Sequence, residues 1–138
     1  MGLQRFGVSM ESSLLERFDA LVRERGYANR SEAIRDIIRD VLVERQWEDE
    51  GTEVAGTITL VYDHHVNGLS DLLNDLQHEH YRSILSTMHI HLDEHNCLEV
   101  LVVKGRAGEL RRIAERLIAT RGVKHGKLTL TSTGKDLR

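Results

Sequence analysis

The sequence predicts an α+β protein of two unlike modules: a short strand with two helices, then a βαββαβ domain. Three observations predict it. Apolar residues alternate over 5–10, and they recur at helical spacing over 14–42. From residue 54 the stretches read strand, helix, strand, strand, helix, strand.

In RFGVSM, Phe6, Val8 and Met10 alternate with Arg5, Gly7 and Ser9, the period of a strand with one buried face. Ser13 stands three before Glu16, a capping-box spacing that can open a helix, and Leu14, Phe18, Leu21 and Val22 then form one apolar stripe. Gly26 predicts a left-handed cap at the end of that helix. Asn29 with Glu32 can open the next helix, whose stripe is Ile34, Ile37, Ile38, Val41 and Leu42. So small a unit cannot hold a core alone, so it should dimerise. WEDEGTE (47–53) is acidic and aperiodic, a linker or a further turn of helix.

VAGTITLVY (54–62) is β-rich, and LSDLLNDLQ (69–77) carries leucines at helical spacing. ILSTMHIH (84–91) and CLEVLVVK (97–104) read as strands joined through the turn DEHN. GELRRIAERLIAT (108–120) is an amphipathic helix closed by Gly122, and KHGKLTLTS (124–132) supplies the last strand. This order is the ferredoxin-like (ACT-like) arrangement, an antiparallel sheet with both helices on one face. The expected organisation is a first module over 1–46, a linker over 47–53 and a second domain over 54–138.

The 138 residues are 40% hydrophobic and 30% charged, a soluble balance, and no apolar run is long enough to cross a bilayer. The start MGLQRFGV has no apolar signal core, and a single cysteine cannot close an intrachain disulfide, so a reducing cytoplasm is expected. The net charge of −3 gives no global pull towards nucleic acid. Residues 1–46 hold eight Arg and eight Asp or Glu, and a neutral module predicts weak non-specific DNA binding.

Seven of the eight histidines fall between His64 and His95, and the densest stretch, MHIHLDEHNC, also holds the only cysteine. Imidazole and thiolate are the donors of late first-row metals. His89 and His91 are two apart on an expected strand and leave one face; Cys97 opens the facing strand, so its sulfur can approach them. The three make half of a coordination shell. His64, His65, His78, His80 and His95 are candidates for a fourth donor. His78 lies near the end of a helix, beside the start of the strand that carries His89. That start is roughly 15–20 Å from His89, so one chain cannot bring both to one metal. His78 could complete a site on a neighbouring chain, which argues for an oligomer with metal at its interface.

RFGVSM with RGYANRSEAIRDIIRD resembles the ribbon-helix-helix module, and QHEHYRSILSTMHIHLDEHNCLEV resembles the metal domain of the nickel-responsive repressor family (NikR). The resemblance runs over nearly the whole chain. It implies a cytoplasmic, non-enzymatic transcriptional repressor whose His89, His91 and Cys97, with His78 of a partner chain, hold Ni(II) in a square plane, one ion per chain. Glu99 shares a face with Cys97 and can orient a ligand imidazole. His64, His65, His80 and His95 remain as surface or weak auxiliary groups, and His125 as a surface residue.

For the first module, the resemblance implies an antiparallel ribbon in the major groove of a palindromic double-stranded operator. Arg5, Gly7 and Ser9 form its outward face. Arg5 can address guanine, whereas Gly7 stands where the family has a polar residue and lacks that contact. Asn29, Arg30 and Ser31 lie at a helix start suited to phosphate. Glu32 and Asp36 match carboxylates of a second, weaker cation site. HHVNG (64–68) lacks Lys and Arg, so the family's basic contacts after that strand are not carried over.

The expected assembly is a homotetramer, a dimer of dimers in which metal promotes operator binding at genes of nickel uptake or use. The alternative is a ribbon-helix-helix regulator sensing another metal or a small organic effector. An antitoxin would leave the second domain unexplained. An enzyme would need an orienting group and an oxyanion element beside Cys97 and His89, and neither is evident.

Overall fold

The computed structural model describes residues 2–135 and 137. The elements run α1 (Ser12–Glu24), α2 (Arg30–Glu48), β1 (Glu53–Asp63), α3 (Leu69–Glu79), β2 (Ile84–His91), β3 (Asn96–Arg106), α4 (Ala107–Ile118) and β4 (Val123–Ser132). The chain divides into two compact units, Met1–Asp40 and Val41–Arg138. Among the described residues, no helix is long and apolar enough to cross a membrane.

In the first unit, the strand expected over 5–10 does not form within the chain. A strand exists only through pairing, and residues 2–11 pair with no strand among the described residues. The capping box at Ser13 is also not used. The carbonyl of Glu11 already accepts from Leu15 N–H at 3.1 Å, so the helix begins at Ser12 with no side-chain cap. Gly26 closes α1 as expected, at φ 74°. Gly26 N–H donates to the Arg23 carbonyl and Tyr27 N–H to that of Val22, the paired bonds of a Schellman cap. Asn29 opens α2 by accepting from Glu32 N–H at 2.9 Å. Of the aperiodic stretch over 47–53, Trp47 and Glu48 continue α2 and Glu53 begins β1, which leaves residues 49–52 as the turn.

The second unit has the βαββαβ order, as one antiparallel sheet of strand order β2-β3-β1-β4. Alternation in β1 buries Val54, Gly56, Ile58, Leu60 and Tyr62; alternation in β3 buries Cys97, Glu99, Leu101 and Val103. Leu69, Leu73 and Leu76 of α3 join them, as do Leu110, Ile113 and Leu117 of α4. Both helices therefore cover one face. Gly56 is dictated by the β1–β4 pairing, because a Cβ there would stand 2.2 Å from the Thr129 carbonyl oxygen. The edge strand β2 is exposed along nearly its whole length.

Candidate metal centre

The site lies where three strands end. Register aligns His91 with Cys97 and His89 with Glu99, so the two histidines share a face with Cys97. β1 aligns Tyr62 with Cys97 and Asp63 with Asn96, so His64, the next residue, arrives beside the same sulfur. Two turns hold these ends. Asp93 accepts from the backbone N–H groups of His95 and Asn96 at 2.9 and 2.8 Å, which keeps the β2–β3 hairpin tight. Asp63 accepts from His65 N–H at 2.8 Å, and His64 N–H donates to the His95 carbonyl at 3.0 Å.

Cys97 Sγ lies 3.1 Å from His64 Nδ1 and 3.5 Å from His91 Nδ1. With metal–nitrogen bonds of about 2.0 Å and metal–sulfur bonds of about 2.3 Å, neighbouring donors on one ion stand about 3.0–3.5 Å apart. The two separations fit that spacing. His64, His91 and Cys97 are the one grouping among the described residues whose donor atoms converge, all within 4.8 Å of one another. The donor set also suits a late first-row metal, which soft sulfur and imidazole nitrogen prefer.

His89 stands one step away, its ring 5.2 Å from that of His91 and 5.9 Å from that of Tyr62. His78 is exposed in the last turn of α3, outside the converging group. His65 and His95 stack near His64, with centroids 4.1 Å apart for His64–His65 and 5.2 Å for His65–His95. His80 approaches Arg116, and His125 is exposed on β4.

Burial pushes the Cys97 thiol up, and the charges of Asp63, Glu99 and Asp93 act in the same direction against a hydrogen bond from His64. Burial also raises Glu99, which accepts from Gln77 Nε2 at 3.0 Å. The phenol of Tyr62 is pushed up to about 12, first by burial and then by Glu99 and Cys97. Hydrogen bonds from the side chain and backbone of Asn96 and from His95 N–H hold Asp93 at about 2.

Sequence reasoning offered His64 as one of five candidate fourth donors and then set it aside, and it missed Gln77 and Tyr62 as the surroundings of Glu99 and His89. The signal for His64 existed. A βαββαβ sheet sets β1 beside β3, so the residue that follows β1 must fall next to the start of β3.

In the first unit, Arg5, Gly7 and Ser9 are exposed, and so are Phe6 and Val8. Phe6 and Val8 line a groove together with Phe18, Ile34 and Ile38. Arg30 holds Asp19 through two bonds of 2.8 and 2.9 Å, and Ser31 is exposed. Glu32 pairs with Arg35, and Asp36 accepts from the Tyr27 hydroxyl.

Two family models match the chain: the ribbon-helix-helix protein, copG family, over residues 4–45, and the NikR C-terminal nickel binding domain over 55–131. A protein of Caldanaerobacter subterraneus subsp. tengcongensis that carries the name nickel-responsive regulator is 60% identical over 99% of this chain and 88% of its own. Namesakes in Solibacter usitatus and Pyrococcus furiosus are 57% and 56% identical, each over 99% of both chains. In fold, the chain also resembles the uncharacterized protein TM1266 from Thermotoga maritima, with a TM-score of 0.51 and 19% identity over 56% of this chain and 96% of that one. The second match spans more than half of the chain, and the named relatives span nearly all of it: the chain belongs to the nickel-responsive regulator (NikR) family.

Proposed function

We propose that the protein is a nickel-responsive transcriptional repressor, not an enzyme, acting in the cytoplasm as a homotetramer built as a dimer of dimers. The carrying observation is the convergence of the Cys97 sulfur with imidazole nitrogen at the ends of β1, β2 and β3. Ni(II), when bound, supplies a fixed centre that ties together donors from separate segments. The strand pair donates His89, His91 and Cys97, and a partner chain donates His78, giving one ion per chain. Glu99, held by Gln77, sits opposite His89 in register and orients its imidazole. The 3.1 Å contact between Cys97 and His64 favours a second reading, in which His64 replaces His78 and all four donors come from one chain.

The ribbon-helix-helix module, residues 1–46 by sequence, dimerises and reads a palindromic operator. The groove beside Phe6 and Val8 supports this, since those apolar side chains line it and stay exposed. Arg5 and Ser9 then face the bases. Asn29 and Ser31 face the backbone, and Arg30 takes part only by releasing Asp19. Glu32 and Asp36 are already engaged within the chain, so a second cation there competes with Arg35 and Tyr27. Membership of the nickel-responsive regulator family supports a role in regulating genes of nickel uptake or use. Coupling between metal and DNA sites is typically ~1–3 kcal/mol, so gating need not be absolute.

The test is anaerobic titration with Ni(II), Zn(II) and Cu(II), followed by absorption spectroscopy and by selection of DNA from a random-sequence pool. One Ni(II) per chain, a thiolate charge-transfer band and a palindromic consensus that requires Ni(II) are expected. A consensus recovered equally without metal would overturn the proposal in favour of another effector.

A further inference from the structure

We infer that the end of α2 and the start of α4 form a joint that makes the last two turns of α2 part of the metal-binding body. The inference deepens the regulator reading, and its DNA arm rests on that reading. α2 is continuous from Arg30 to Glu48, yet its halves belong to different compact units, which divide between Asp40 and Val41. The joint supplies the reason.

Helix ends carry backbone groups with no partner inside the helix. α4 has no side-chain cap, and the turn between α2 and β1 caps it instead. Ala107 N–H donates to the Thr52 carbonyl at 3.0 Å, and Gly108 N–H to the Glu50 carbonyl at 3.1 Å. At the other helix end, the carbonyl of Trp47 accepts from the Arg111 guanidinium, which places a cation at the negative end of α2. The last turn of α2 and the turn that follows it are thus both bonded to the start of α4. Val43 is buried, and the Trp47 ring packs against the core of the second unit. Gly108 permits the approach: a Cβ there would stand 2.9 Å from Glu50 Cβ.

The joint is closed but not without cost. Among the described residues, the Trp47 indole N–H is buried with no hydrogen-bond partner, and opening would return it to water. Its place in the sheet gives it a purpose. β1 leaves the joint at Glu53 and ends at Asp63 beside His64. β3 starts at Asn96, next to Cys97, and reaches the joint through Arg106. Metal cluster and joint are opposite ends of one paired strand couple, roughly 30–35 Å apart. What metal does to those strand ends therefore arrives in the last turns of α2 rather than in a slack linker.

The experiment uses the full chain with Gly108→Ala. Alanine is the better helix former, so α4 is retained while its Cβ displaces Glu50. Trp47 is the only tryptophan and reports the joint by its emission. Three results are expected. Trp47 emission shifts to the red. The Ni(II) charge-transfer band is retained. The Ni(II)-induced slowing of amide exchange over residues 41–47, at least tenfold in the wild type, falls below twofold. Nickel's gain in affinity for the DNA selected by the wild type should fall at least tenfold. If Gly108→Ala does not fold, Arg111→Gln, which removes the guanidinium, carries the same readings. Unchanged Trp47 emission, no slowing in the wild type, or equal slowing in variant and wild type would each overturn the joint. If slowing behaves as expected while wild-type DNA binding ignores nickel, the regulator reading fails and the joint stands.

Discussion

Cys97 is fully buried, and burial holds its proton on. A group so placed is a poor nucleophile for solutes but a good soft ligand once a metal displaces the proton. Cys97→Ser should abolish the thiolate charge-transfer band and weaken Ni(II) binding by at least tenfold, read by anaerobic titration, because serine stays protonated at neutral pH. Arg5→Ala should cost about 1–3 kcal/mol of operator affinity, the worth of one bidentate base contact, and leave nickel affinity unchanged. Binding of the selected duplex in parallel with metal titration checks both halves. The common face of His89, His91 and Cys97 was legible in the sequence because a strand's period of two fixes it. The place of His64 follows from the βαββαβ strand order, which sets β1 beside β3, rather than from any local spacing. Arg30 was read as a phosphate contact from its position at a helix start, and its pairing with Asp19 of another helix could not be seen locally.

Among elements, those built from repeating patterns were the most legible. β2 was delimited by sequence at both ends, and the alternation in β1 and β3 matches their burial. Boundaries set by single bonds were less so. α1 opens from the Glu11 carbonyl rather than from Ser13, and α2 runs on to Glu48 because Arg111 and the loop before β1 give its end a partner. The α1–α2 hairpin also contains a pH-sensitive pair. Asp19 lies below the usual carboxylate range through its hydrogen bond to Arg30 and the charges of Arg30 and Arg23. A depressed carboxylate adds stability above its unfolded value of about 3.9, and that stability is lost as pH falls through the lower folded value. Asp19→Asn should therefore lower thermal stability near neutral pH and leave it unchanged well below pH 3. Melting curves across that range, read by circular dichroism, check the sign.

At the scale of the whole molecule, the single chain leaves apolar surface uncovered in both units. Phe6, Val8, Ile38 and Leu42 are exposed in α2 and the segment before α1, and Leu85, Met88, Ile90 and Leu92 are exposed along the edge strand and just beyond it. Contiguous exposure of this kind marks association surfaces, and an unprotected edge strand is otherwise an aggregation hazard. Self-assembly would cover both, and an assembly is also what the proposed site shared between chains requires. Metal that binds only the assembled state must then stabilise it by mass action. The most direct measurement is complementation between two variants under conditions of verified subunit exchange. One variant carries His78→Ala, and the other carries His89→Ala, His91→Ala and Cys97→Ala together. If the site is shared between chains, neither variant alone gives the wild-type Ni(II) charge-transfer band, and mixing restores part of it, because one chain offers His78 and the other the strand donors. A wild-type band from His78→Ala alone, or no recovery on mixing, would contradict the shared site; the first result would assign the fourth donor to the same chain, with His64 nearest at hand.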